Sequence, residues 1–121
     1  MTTRERHQEI CEQFLAHAEE EYGRGDYLQA AEKAWGAFAH CMNAIAIDEG
    51  WEVGSHRKLI ANAKRLIDRQ PEHAKARRLL LAAVESLHVN FYKEFMSQDA
   101  VRDGIDNAGD LIKAVKGLAS Q

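Results

Sequence analysis

The sequence predicts an all-α protein: an up-and-down four-helix bundle with one additional N-terminal helix, five helices in total. Three observations support this fold class. Apolar residues recur at three- and four-residue steps in five segments, the turns between these segments are short, and the chain has a single proline. With 121 residues, 45% hydrophobic and 29% charged, we expect one domain, 1–121, with the last four helices forming its core.

The first two helices begin at recognisable caps. A capping-box pattern, Thr2-x-x-Glu5, starts the first helix, and Asp26 starts the second, which runs to about residue 49. The second helix has the widest apolar arc of the chain. We therefore expect it to be the most buried helix, with Trp35 and Phe38 in the core.

The other three helices have similar start signals. Ser55 is expected to cap the third, Pro71 to open the fourth, and Ser97 to cap the fifth. The fourth is predicted to extend to about residue 95. Its predicted core face consists of Ala76, Leu79, Leu80, Ala83, Val84, Leu87, Phe91 and Phe95.

Composition excludes several classes of protein. No apolar run approaches the roughly 20 residues that cross a bilayer, and the charged N-terminus lacks a signal-peptide core. We therefore expect a cytoplasmic protein with no membrane association, in which Cys11 and Cys41 are buried thiols. No Cys/His cluster has zinc-site spacing, so neither a metal nor a cofactor is predicted.

One flank of the fourth helix carries residue types suited to acid–base chemistry. Glu85 is placed to orient His88, and Tyr92 adds a hydroxyl one turn further on. The alternative is an ordinary hydrogen-bond network at the edge of a helix core. His40 and Asn43, on the polar strip of the second helix, are interpreted as surface residues.

Basic residues are concentrated between positions 57 and 78. Eight Lys or Arg stand against two acidic residues, a local charge of +6 in a chain of net charge −3. Such a segment can attract phosphates, and His56 adds an imidazole where a helix start can bind an anion. The alternative is two solvated helix faces. The predicted anion-binding residues are His56, Arg57, Lys64, Arg65, Arg69, Arg77 and Arg78.

Several short segments together resemble the HEPN superfamily of helical bundles, and especially its PaREP-like branch. They span about residues 20 to 95 and are Gly25-Asp26-Tyr27, Ala31-Glu32-Lys33-Ala34-Trp35-Gly36-Ala37, Gly50-Trp51, Ser55-His56-Arg57 and Leu87-His88-Val89-Asn90-Phe91-Tyr92. The resemblance implies a helical bundle that forms homodimers. It also implies either an RNase of toxin–antitoxin or defence systems, or a nucleotide- or RNA-binding partner of a nucleotidyltransferase.

Active members of that superfamily carry an arginine, a short gap of four to six residues, and then a histidine on the last core helix. His88 matches the histidine, but Ala82 and Ala83 stand where the arginine is expected, and Arg78 is ten residues away. We therefore expect a homodimeric binding or regulatory module with a nucleotide or RNA connection. The alternatives are a metal-independent RNase that uses His88, and a structural homodimer formed through the second helix and the Trp51 loop.

Overall fold

The computed structural model is built from α-helices joined by short turns. It describes residues 2–93 and 96–119, with the backbone alone for 91–93, and this part of the chain contains no strand. The helices are α1 (Thr3–Gly23), α2 (Tyr27–Glu49), α3 (His56–Ile67), α4 (Pro71–Lys93) and α5 (Gln98–Ala119). The predicted five-helix, all-α fold is confirmed. None of the described helices is both long and apolar enough to span a bilayer.

The helix starts follow the local signals in the sequence. The Thr2 hydroxyl accepts a hydrogen bond from the Glu5 amide, and the Glu5 carboxylate accepts one from the Thr2 amide, so the capping box is complete. At the other three caps a side-chain oxygen accepts from the amide three residues on, at 3.1–3.2 Å; these caps are Asp26, Ser55 and Ser97. Each cap satisfies an amide that has no partner within its helix.

Helix α2 is the centre of the bundle, as predicted. It contacts each of the other four helices, and 11 of its 23 residues are buried. Trp35 is 5% exposed and Phe38 is fully buried. Its many alanines allow the neighbouring helices to approach closely, because a methyl group adds little to the helix radius.

Helix α1, predicted as an addition to the bundle, packs along α2 in the most extensive helix–helix contact of the structure. The contact is close because residue 36 is glycine. A Cβ atom at Gly36 would lie 2.5 Å from a ring carbon of Phe14, well inside van der Waals contact. Any larger residue at Gly36 would therefore push the two helices apart.

The predicted core face of α4 is partly wrong. Leu79 is 65% exposed and Ala76 is exposed, whereas the flank that holds Leu81 is buried. The buried apolar residues of α4 are Ala74, Leu81, Val84 and Leu87. Three consecutive leucines, 79–81, make the apolar arc ambiguous, and packing against the neighbouring helices buries Leu81. Phe91 and Phe95, also predicted for this face, lie outside the described side chains.

Candidate functional site

Three aromatic rings from three helices lie together near the start of α3. Trp35 belongs to α2, His56 is the first residue of α3, and His88 belongs to α4. The ring centroids are 5.4 Å apart for Trp35–His56, 5.3 Å for Trp35–His88 and 5.8 Å for His56–His88. The interplanar angles are 31°, 25° and 22° in the same order. The buried indole thus supports both imidazoles side by side.

Each imidazole also contacts a carboxylate. Glu85 Oε2 lies 2.6 Å from His56 Nε2, and the two Glu32 oxygens lie 3.2 and 3.3 Å from His88 Nδ1. A carboxylate only accepts hydrogen bonds, so the ring nitrogen that faces it carries the proton and donates. The carboxylates therefore fix both the orientation and the tautomer of each ring, as in sites where histidine transfers protons or binds anions.

The predicted pairing of Glu85 with His88 is corrected by this geometry. Glu85 reaches across to α3 and binds His56, while His88 turns its Nδ1 toward Glu32 on α2. The two histidines meet because the flank of α4 that carries them faces α2 and α3. Glu32 was not predicted; its only sequence signal is its position one turn before Trp35 on α2. The side chain of Tyr92 lies outside the described part of the chain.

Two of the predicted anion-binding residues flank this cluster. Arg57 and Lys64 are exposed and lie seven residues, about two turns, apart on one face of α3. They share an open depression of about 390 Å³, lined by His56, Arg57, Ile60, Ala61, Lys64 and Glu85. Within the described residues neither cation has an ion-pair partner, so both are available to an anion. His88 is not among the residues that line this depression.

Most of the other basic residues of the segment have partners within the chain, whereas Lys75 is exposed on α4. Arg69 binds the Glu49 carboxylate at 3.0 Å and donates to the Leu118 carbonyl, which ties α3 to α2 and α5. Arg65 lies over the Trp51 ring at 4.4 Å. Arg78 binds Asp68 at 3.0 Å, and Arg77 donates to Gln70 across the α3–α4 turn; Lys58 binds Glu52 at 3.6 Å. Much of the local charge is thus engaged in joining helices.

The polar strip of α2 divides between two places. Asn43 borders an open depression of about 310 Å³ with Trp35, Gly54, Ser55, His56 and Leu59, next to the ring cluster. His40 lies elsewhere: its Nδ1 is 2.7 Å from the Nδ1 of His7 on α1. Both rings are half-buried, so the interpretation of His40 as a surface residue is wrong. Burial lowers the pKa of His7 and of His40, and for His40 the neighbouring His7 lowers it further.

The ring cluster can bind an anion and transfer a proton, and it does not resemble a metal centre. No group of three or more His, Cys, Asp or Glu side chains in the described residues is arranged to hold a metal ion. Each histidine instead has one carboxylate. Beside the cluster, Arg57 and Lys64 supply positive charge and His56 an imidazole, and these are groups that can contact a phosphate.

The arginine of the HEPN nuclease motif has no equivalent beside His88 in the described contacts. Those contacts are with Glu32, Trp35 and His56. Arg78 lies ten residues earlier, about 15 Å along the helix, and its guanidinium binds Asp68. The structure therefore brings two histidines together without placing the expected arginine next to His88.

Comparison with known proteins identifies a fold and a family. A crystal structure of a protein from Sulfolobus solfataricus superposes with a TM-score of 0.69 at 20% identity, covering 98% of this chain and 97% of that one. At this identity the likeness shows the fold alone. No curated protein matches the chain. The sequence model of the archaeal PaREP1/PaREP8 family matches residues 6–112, and the chain therefore belongs to the archaeal PaREP1/PaREP8 family.

Proposed function

We propose that this chain is a HEPN-like, non-catalytic or weakly catalytic binding module that holds the phosphates of RNA or of a nucleotide at the start of α3. The observation that carries the proposal is the depression that Arg57 and Lys64 share with His56. Two cations on one helix face match the charge of a nucleic-acid backbone, while most of the surrounding basic residues are held by partners in the chain.

The start of α3 adds backbone donors to these cations. The first amides of a helix have no partners within it, and the helix dipole places partial positive charge there. The Ser55 hydroxyl accepts a hydrogen bond from the Lys58 amide. The His56 and Arg57 amides, also in the first turn, have no partner within the helix. The Glu85 carboxylate repels an anion. Phosphate contacts are therefore expected at Arg57 and Lys64, away from the His56–Glu85 pair.

The HEPN resemblance supports this function and suggests a protein partner. The segments that carry the resemblance include Ser55-His56-Arg57 and the residues around His88. These two segments are distant in sequence, yet His56 and His88 lie 5.8 Å apart. A nucleotidyltransferase is the partner that the resemblance implies. In that arrangement the module would present bound RNA or nucleotide to the partner.

The test is binding of a fluorescein-labelled single-stranded RNA, followed by anisotropy at several salt concentrations between about 50 and 200 mM. Wild type is compared with the double variant Arg57→Ala/Lys64→Ala. Loss of two phosphate contacts is expected to weaken binding and to reduce the slope of log K against log salt by about 1.4, because each contact to a single strand contributes about 0.7. Unlabelled ATP serves as a competitor to distinguish nucleotide from RNA binding.

The matched control is Lys75→Ala/Lys113→Ala, which removes the same charge from exposed positions on α4 and α5. It is expected to retain the wild-type slope. Equal losses in both double variants would assign binding to net charge rather than to this depression. Absence of binding by wild type at the lowest salt would reject the proposed function.

An RNase of toxin–antitoxin or defence type is the second candidate, and the His56–His88 pair favours it. Metal-independent cleavage of RNA needs a general base, a general acid and a cation near the phosphate. Two carboxylate-paired histidines 5.8 Å apart supply the first two groups. The position of the cations argues against an RNase, because Arg57 and Lys64 line a depression that His88 does not border.

The third candidate is a structural homodimer, and the structure changes the surface it would use. The α2 alanines, predicted to contribute to a dimer, are buried within this chain. Leu79 and Val89 are exposed on α4 instead, at 65% and 44%. Light scattering tests this: a mass twice the 13.6 kDa of one chain that returns to one chain in Leu79→Glu would support a dimer through α4. A constant mass of 13.6 kDa at micromolar concentrations would reject it.

A further inference from the structure

The two cysteines of the chain form a pair between α1 and α2. Cys11 and Cys41 are 30 positions apart in sequence, each is 2% exposed, and their thiols share a hydrogen bond. In this hydrogen bond Cys41 is the donor and Cys11 the acceptor. The bond raises the pKa of Cys41, which keeps its proton, and it lowers the pKa of Cys11. Cys11 is therefore the better nucleophile of the two.

Although the thiols are packed between helices, both border a pocket. Its volume is about 390 Å³, and it is enclosed by α1, α2 and the end of α5. The polar groups around it are Gln8, Glu12, Asp48, Glu49 and Lys116. The hydrogen bond with Cys41 is the main reason that the pKa of Cys11 is lowered, and the Lys116 charge lowers it further, whereas burial and the Glu12 carboxylate raise it. The net direction favours the thiolate at Cys11 alone, beside a pocket that a small solute can enter.

This pocket is separate from the cluster of His56, Trp35 and His88. None of the residues that line the thiol pocket lines the depressions beside His56. The proposed RNA or nucleotide function does not use either cysteine. A buried thiol that serves packing alone needs neither a second thiol within hydrogen-bonding reach nor an adjoining polar cavity. A second thiol in hydrogen-bonding reach together with an adjoining polar cavity therefore calls for an explanation other than packing.

We propose that Cys11 and Cys41 are a peroxide-reactive dithiol whose substrate is a small hydroperoxide. The Cys11 thiolate attacks the terminal oxygen of the hydroperoxide. An S–O bond forms as the O–O bond breaks, and the leaving oxygen takes a proton from water. Cys11 is then a sulfenic acid.

The Cys41 sulfur completes the reaction by attacking the Cys11 sulfur. An S–S bond forms, the S–O bond breaks, and the hydroxyl leaves as water with the Cys41 proton. Two thiols are oxidised by two electrons and one hydroperoxide is reduced by two. The product is a disulfide that joins α1 to α2, the most extensive helix contact of the bundle. A thiol reductant reverses the step.

The experiment treats reduced, folded wild type with one equivalent of hydrogen peroxide and measures free thiols and intact mass. The expected result is loss of both thiols, a mass decrease of two hydrogen atoms, and a cross-linked peptide that contains Cys11 and Cys41. Cys41→Ser is expected to stop at the sulfenic acid, which dimedone traps on Cys11. Cys11→Ser is expected to retain its remaining thiol under the same treatment.

The wild-type measurement decides the proposal even if a variant folds poorly. Glutathione at the same concentration is the reference for an ordinary thiol. Wild-type thiols that survive longer than glutathione would overturn the proposal, as would a gain of oxygen without loss of two hydrogens. Cross-links between two chains in place of the internal disulfide would also overturn it.

Discussion

The bundle contains two histidine pairs, and their surroundings are opposite. His7 and His40 join α1 to α2 through a direct ring-to-ring hydrogen bond of 2.7 Å, next to the half-buried ring of Phe14. His56 and His88 stack 5.8 Å apart against buried Trp35, and each binds its own carboxylate. In the first pair a neutral ring must accept from the other, so at most one ring can be charged without breaking the bond.

This difference separates a structural pair from a functional candidate. Burial lowers the pKa of His7 and of His40, and the neighbouring His7 lowers that of His40 further, so this pair is most stable when neutral. Carboxylates face one ring nitrogen of His56 and one of His88, so neither ring depends on the other for that hydrogen bond. A histidine pair is therefore not identified as a functional site by residue type alone. The hydrogen-bond partner of each ring nitrogen distinguishes the two pairs.

The largest expected effect comes from removing the ring on which the second pair rests. Trp35→Ala is expected to cost about 3–5 kcal/mol in the free energy of unfolding, because the side chain is almost fully buried. Phe14→Ala, beside the first pair, is the matched comparison. It is expected to cost less, because Phe14 is only partly buried. Urea unfolding of both variants makes the measurement.

Equal costs for Trp35→Ala and Phe14→Ala would break the comparison. They would mean that the aromatic ring beside each histidine pair contributes equally to the free energy of unfolding. A Trp35→Ala variant that remains as stable as wild type would in addition contradict the assignment of α2 as the central helix.

The pH dependence of stability is expected to come largely from the first pair. Because the folded pKa values of His7 and His40 lie below the ordinary value of 6.5, the folded state binds fewer protons than the unfolded state in the interval between them. Their contribution is complete above pH 6.5 and falls as the pH drops through that interval. The urea midpoint of wild type should therefore decrease between about pH 7.5 and pH 5.5.

The double variant His7→Gln/His40→Gln should lose much of this decrease, since glutamine can donate and accept without titrating. His73→Gln, at an exposed position on α4, is the control and should retain it. If the control and the double variant respond to pH alike, the acid sensitivity belongs to other groups. The first pair would then not be the neutral pair described above.

The smallest expected effect is on RNA cleavage. We expect wild type to cleave a fluorophore–quencher RNA no faster than buffer in the presence of EDTA, with His56→Ala and His88→Ala indistinguishable from it. The reason is that the described contacts of His88 with Glu32, Trp35 and His56 include no cation, since losing one such stabiliser typically costs about 10²–10³ in rate. Arg78, the arginine nearest in the helix sequence, is bound to Asp68.

Cleavage by wild type that disappears in both histidine variants would reverse this prediction. The second pair would then be an acid–base pair, and the RNase candidate would replace the binding module. Cleavage that survives both substitutions would point to a contaminating nuclease and would leave the comparison unchanged.

Local sequence signals were enough to predict where the helices begin. Helix starts depend on interactions within one helical turn, so they can be predicted without tertiary structure. These local signals are the caps at Thr2, Asp26, Ser55 and Ser97 and the proline at position 71. The burial of α2 was also predictable, because its apolar arc is wide enough to be covered on several sides. The thiols of Cys11 and Cys41 were expected to be buried, and they are.

Which side chains meet depends on how the helices pack. A periodicity argument does not distinguish Leu79, Leu80 and Leu81, so the rotation of α4 about its axis is set by its packing against the neighbouring helices. That rotation exposes Leu79, buries Leu81 and brings Glu85 to His56 rather than to His88. Contacts between residues 29 and 56 positions apart, such as His56–Glu85 and Glu32–His88, are set by helix packing and not by spacing along one helix.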